Sequence, residues 1–407
     1  MGVPTIQVLV GFQTTTGFGN PFQLDNATYG LLDTGTLGGL QYADLTQYVQ
    51  AVNIQRGRNR QLDQFNAGSA TITFYNRSRI LDPLNTASPY YPYVLPRCPV
   101  IINANGEPIF TGLVADWNLD YDQTNNDLMF ASCTDIFTVL GNQRLNAKTP
   151  SAQSSSARVN AILDASEVQY QGARSIGTGT STLGAYAIDQ DENVLTYLQT
   201  VTKSEQGYLF VAADGTLTFK GRSAVLNPVS GADFKMDGSG IPYQTLINQF
   251  GDELLYNYVV TQSPAGAAQI NSDTTSIALY QTQNLTYTDL LNSTTTEVDA
   301  LGEYLLGRYK DPVLRFTGLS TQLAALGTAT QNVLFSLDLT DIVTVTKDFP
   351  TGSPSSVTQT LIVSGIAHTI SPDSHVVAYT FESVDGNQYL TLDNTIFGTL
   401  DNNLLAF

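Results

Sequence analysis

Apolar and polar positions alternate along much of this chain. In SATITFYN (69–76), Ala70, Ile72 and Phe74 fall on one side, the period-2 pattern of a half-buried strand. VPTIQVLVGF near the start and DLMFASCTD (127–135) read the same way. PVIINANGEPIF places Asn105-Gly106 between two apolar runs, a strong two-residue hairpin signal. The period changes after about residue 145. A Ser-rich linker leads into a short helix with Val159, Ile162 and Leu163 on one face. A Gly/Ser/Thr loop at 175–184 precedes the clearest helix, DQDENVLTYLQTVTKSEQG. Acids crowd its expected first turn, Val194, Leu195, Leu198 and Val201 repeat at helical spacing, and Gly207 ends it. YLFVAADGTLTFKGR predicts a hairpin closed at Asp214-Gly215. A further helix is expected over NSTTTEVDALGEYLLGRYKDP, with Val298, Leu301 and Leu305 inside and an exit at Pro312. NVLFSLDLTDIVTVTKD, TQTLIVSGIAHTI and HVVAYTFESVD predict three closing strands.

The order is β, then α/β, then β with a helix, an α+β chain dominated by antiparallel sheet. The expected units are 1–145, an inserted helix-and-hairpin unit at 146–222, and 223–407. A chain of 407 residues can build several cores, and its apolar content of 42% supports folding. Charged residues make up only 13%, and the net charge is −18. That balance argues against general nucleic-acid binding, whose footprint is basic. No apolar run approaches the ~20 residues of a membrane helix. The N-terminus lacks a secretory pattern, so synthesis in a cytoplasm is expected.

Little catalytic chemistry is legible. GTGTSTLG lacks the spacing of a phosphate-binding loop. His368 and His375 flank a turn at SPDS and are expected to be half-exposed. Cys98 and Cys133 are expected as buried thiols, with a disulfide as the alternative. Asp122, Asn125 and Asp127 fit a solvated turn better than a calcium site. No cofactor, metal ligand or catalytic residue is predicted.

Two features stand out. Arg56, Arg58, Arg60, Arg77 and Arg79, five of the twelve arginines, lie within residues 52–83, whose only acids are Asp63 and Asp82. The second is a repeat. LDNATYGLLD (24–33) and LDNTIFGTLD (392–401) share Leu24/Leu392, Asp25/Asp393, Asn26/Asn394, Tyr29/Phe397, Gly30/Gly398, Leu32/Leu400 and Asp33/Asp401 in one register. An Asx turn, a permissive glycine and an aromatic anchor suit a docking clip.

RGRNRQLDQFNAGSATITFYNRSRILDPLNTASPY, GEPIFTGLVADWNLDYD and YLTLDNTIFGTLDNNLLAF resemble the minor tail proteins of long-tailed bacteriophages, more narrowly the tail-tip or baseplate hub group. The resemblance implies two tail-tube-like β-barrel domains with a small inserted domain. It implies a homotrimer that adapts a sixfold tail tube to a threefold tip in the virion. The implied neighbours are a distal tail protein, a tape measure protein and tip or fibre proteins. The implied role is structural, not enzymatic. Two alternatives stay open: a distal tail or receptor-binding protein, and a cell-wall or glycan-degrading tail enzyme. On this reading the five arginines belong at an intersubunit or intrachain junction. Rival placements are contact with DNA during ejection, and ordinary pairs with acids such as Asp63 and Asp82.

Overall fold

A computed structural model describes residues 2–14, 39–121, 127–222, 224 and 228–384. Both LDN segments, and so Leu24, Asp25, Asn26, Tyr29, Gly30, Asp33, Leu392, Asp393, Asn394, Phe397, Gly398 and Asp401, lie outside the described residues.

The N-terminal strands are β1 (Ile6–Thr14), β2 (Gly39–Asp44), β3 (Val49–Gly57), β4 (Asn66–Tyr75), β5 (Pro99–Ala104), β6 (Glu107–Asp120) and β7 (Leu128–Thr134). Helix α1 (Ile136–Asn142) follows, then α2 (Ser155–Leu163), α3 (Val194–Glu205) and the hairpin β8 (Tyr208–Val211) and β9 (Leu217–Lys220). The C-terminal part holds β10 (Pro228–Phe234), β11 (Thr245–Gln249), β12 (Tyr258–Thr261), β13 (Gln269–Ser272), α4 (Thr274–Tyr280), β14 (Asn284–Tyr287) and α5 (Thr295–Tyr309). It closes with β15 (Arg315–Gln322), α6 (Thr328–Ser336), β16 (Ile342–Asp348), β17 (Ser356–Ser371) and β18 (Ser374–Ser383).

One sheet runs β11-β15-β18-β17-β3-β4-β7-β6-β5-β1-β2, an open path among the described residues. β16 also joins β17, and β10 joins β16. All neighbours along the path are antiparallel, so the architecture is mainly antiparallel β with six helices among the described residues. β17 is the seam. Its first half pairs with β16 and its second half with β3, while β18 lies along its other side.

The alternating runs behave as the period requires. Ala70, Ile72 and Phe74 are buried against Val52, Ile54, Met129 and Ala131 in a continuous core. Asn105 and Gly106 both take positive φ in the β5–β6 turn, as a tight hairpin demands. Val159, Ile162, Leu163, Val194, Leu198 and Val201 are buried, and Val298, Leu301 and Leu305 fill a smaller core with Val259 and Leu290.

Three expectations are corrected. Residues 328–336 are helical, not extended, and the buried Gln331 amide donates to Leu323 O and Leu326 O in the segment just before the helix. The acids before α3 precede it: Asn193 caps the helix, and no acid lies in its first turn. The histidines are buried, as described below. Cys98 and Cys133 are buried free thiols, and burial pushes the Cys133 thiol up to about 12.

Candidate functional site

β3 delivers the first three arginines to the seam. Its last residue, Gly57, has φ +101°, and a Cβ there would sit 2.2 Å from Ser364 O. Only glycine allows this approach, which lets Arg58 N donate to the same carbonyl at 2.8 Å. The Arg58 side chain then turns inward. Nε and Nη2 donate to the two carboxylate oxygens of Glu382 at 2.6 and 2.8 Å, and Nη1 donates to Asp63 O at 2.8 Å. The Phe65 and Tyr208 rings lie 4.6 and 5.5 Å from the guanidinium carbon. The pair is nearly closed off, with side-chain exposures of 11% for Arg58 and 2% for Glu382. Burial opposes the charge on Arg58, but Glu382 outweighs it and holds the guanidinium above its ordinary range.

A second arginine completes the junction. Arg308 of α5 donates to Ser383 O at 2.8 Å, next to Glu382, and to Tyr304 OH at 3.3 Å. The Gln61 amide, with its oxygen toward Arg308, accepts from Nε and Nη2 at 3.1 and 2.6 Å. Burial pushes Tyr208 up to about 12, so its phenol stays neutral. Arg58 follows β3, and Tyr208 and Arg308 come from β8 and α5. The junction therefore ties together all three stretches of chain expected from sequence to be separate units.

Arg56 is buried and donates to Asp338 at 2.7 Å; the other oxygen of Asp338 accepts from Ala213 N in the β8–β9 turn at 2.8 Å. Arg60 pairs with Glu253 at 2.8 Å, with both side chains half-exposed. A cleft of about 190 Å³ lies between Arg60, Glu253, Arg315 and Glu382. Arg77 and Arg79 are elsewhere: both are exposed in the loop after β4, and Arg79 pairs with Asp82 at 2.6 Å. The arginine island is thus two sites. Its first half bridges to acids 193 to 324 residues away, and in its second half Arg79 pairs locally.

The partner acids were not legible. Glu382 and Asp338 carry no local mark of their role. Glu205 does: it is a carboxylate in the last turn of α3, against the helix dipole. It is fully buried, and its oxygens accept from Thr180 N, Thr180 Oγ1, Ser181 N, Ser155 Oγ and Arg222 N. The Gly/Ser/Thr loop at 175–184 does form an anion nest, and the chain's own carboxylate occupies it.

His368 and His375 lie on adjacent strands, buried, with Nδ1 of the first 3.1 Å from Nε2 of the second. Phe335 of α6 stacks on His375 at 5.5 Å. Burial lowers both pKa values, His375 to about 4, and for His368 the neighbouring His375 and Arg56 add to it. The unfolded chain protonates near the ordinary 6.5, so the contribution of the pair is full above that value and is lost as pH falls toward about 4. Asp135, raised by burial to about 6, acts with the opposite sign. The expected result is a shallower fall of stability over this window in His375→Phe than in the wild type, by up to about 3 kcal/mol. Denaturant titrations at stepped pH check it, and parallel curves would refute it.

No protein-family model matches the chain, and no curated protein matches it in sequence. Solved structures do. The tail protein from Neisseria meningitidis MC58 aligns over 94% of this chain and 97% of its own, at TM-score 0.58 and 11% identity. The 43 kDa tail protein of prophage MuSo2 from Shewanella oneidensis aligns over 93% and 98%, at 0.56 and 11%. Prophage tail protein gp18 from Listeria monocytogenes EGD-e aligns over 93% and 95%, at 0.51 and 9%. The chain therefore has the fold of phage tail proteins over 93–94% of its length. The resemblance read from RGRNRQLDQF and the later motifs holds at the level of fold. No described helix is long and apolar enough to cross a membrane.

Proposed function

We propose that the chain is a structural, non-enzymatic component of a bacteriophage tail, located at the tail tip of the virion. As a baseplate hub it would assemble as a homotrimer and join a sixfold tube to a threefold tip. The observation that carries this reading is the match of fold over nearly the whole length of three tail proteins. The division of the main sheet at β17 supports two related β units per chain, which three chains would turn into six. Closure of each unit into a tube-like barrel, with residues 146–222 inserted between them, belongs to the same proposal.

Within it, Arg56, Arg58 and Arg60 serve the intrachain junction that fixes one β unit against the other. Arg77 and Arg79 face a partner. The two LDN segments dock the chain to its neighbours: a distal tail protein, a tape measure protein or the tip and fibre proteins. A symmetry-resolved reconstruction of the tail tests this. Three copies at the tip are expected. Six copies in a ring would assign the chain to a distal tail protein instead, and absence from the particle would end the proposal.

A further inference from the structure

The loop Asn76–Cys98 between β4 and β5 is built around one buried carboxylate. Asp82 has no exposed surface. It accepts from Leu84 N at 2.8 Å, from Arg79 Nε and Nη2 at 2.8 and 2.6 Å, and from Tyr121 OH at 3.0 Å. The groups it holds point outward: Leu84 is 77% exposed and Tyr121 54%. Trp117 Nε1 donates to Leu95 O at 2.9 Å, bringing exposed Leu95 to the strand that leads to Tyr121. An exposed leucine, tyrosine and arginine fixed by a buried acid cost little entropy on docking, and Tyr and Arg are the residues that anchor interface centres. The loop has three arginines and one acid.

The opposite character appears at the other end of the sheet. β11 ends the path and pairs only with β15 among the described residues. Ile247 on it is 59% exposed, and Phe250 just after it is 69% exposed. Asp252 and Glu253 follow, and Thr245–Leu254 contains no base. Six strands separate β11 from β6 in the sheet order. The two patches therefore lie on different strands of one chain.

We propose that the occupant of the Leu84–Tyr121–Arg79 patch is a second copy of this chain, presenting its Ile247–Phe250–Asp252 patch. This rests on the self-assembly in the function proposed above and names the surfaces. Apolar side chains meet apolar side chains, and a segment of net +2 meets one that keeps a net −1 after Arg60 pairs with Glu253. The two surfaces differ, so the contact is head to tail, which gives a ring where the rotation between copies closes.

Leu84→Asp and Phe250→Asp test it in the full-length chain by sedimentation equilibrium over a range of concentration. Both positions are exposed, and unchanged melting confirms the fold. Each variant alone is expected to need at least tenfold higher concentration than wild type to associate. Their equimolar mixture is expected to give a heterodimer and nothing larger, because each variant retains the one patch the other needs. Variants that associate like wild type overturn the assigned surfaces while leaving self-assembly standing. A mixture no more associated than its parts overturns the head-to-tail contact. A wild-type chain that stays monomeric at every concentration overturns the second copy as occupant, whatever the tail reconstruction shows.

Discussion

Glu382→Ala is expected to lose about 3–5 kcal/mol of stability, the range for removing one partner of a buried ion pair. That is a large share of the ~5–15 kcal/mol that holds a typical fold. The loss arises from what remains. Arg58 keeps its charge, sits between Phe65 and Tyr208, and has only Asp63 O left among its three hydrogen-bond acceptors. Arg308, which approaches through Ser383, loses the nearby negative charge as well. Replacing both partners, as Arg58→Met with Glu382→Leu, should recover most of the loss, since no charge is then stranded. Arg60→Ala is the exposed control, with a change under about 1 kcal/mol. Chemical unfolding followed by tryptophan fluorescence and circular dichroism measures all three. A wild-type midpoint for Glu382→Ala would show that the junction does not hold the fold. An unrecovered double variant would show that packing, not the orphaned charge, sets the cost.

Glu205→Ala is expected to cost a similar amount, about 3–5 kcal/mol, from buried donors left without acceptors at ~1–3 kcal/mol each. Its carboxylate holds two successive amides of the 175–184 loop, at Thr180 and Ser181, with Ser155 Oγ at the start of α2 and Arg222 N after β9. Burial opposes its charge, but those donors outweigh it and hold its pKa below the ordinary carboxylate value. Glu205→Gln should not rescue the fold, because an amide has one acceptor oxygen and turns its own donors toward the others. Hydrogen exchange gives a local readout: the Thr180 and Ser181 amides should lose protection first. Exchange unchanged at those two amides would contradict the nest.

Local order was legible because it is governed by local spacing. Alternation in SATITFYN, the Asn105-Gly106 turn and the apolar faces of α2, α3 and α5 depend on neighbours a few residues away, and each appears in the fold. The cysteines and histidines show the limit. Burial of Cys133 follows from its apolar run, whereas burial of His368 and His375 depends on α6 crossing over them with Phe335.

By itself the sequence determined the α+β character, most strands, three helices and the existence of a basic island in an acidic chain. The tertiary structure decided what that island does. Arg56, Arg58 and Arg60 lie at and just beyond the end of β3, and their acids lie on three different segments reached only when β17 brings the C-terminal strands against β3. It also made residues 328–336 a helix, although NVLFSLDLT alternates like a strand, and there Gln331 finds its partners at Leu323, Leu326 and Gly2. Pairings across such distances leave no periodic trace. They are selected by burial, where a charge or an amide without a partner is too costly to keep.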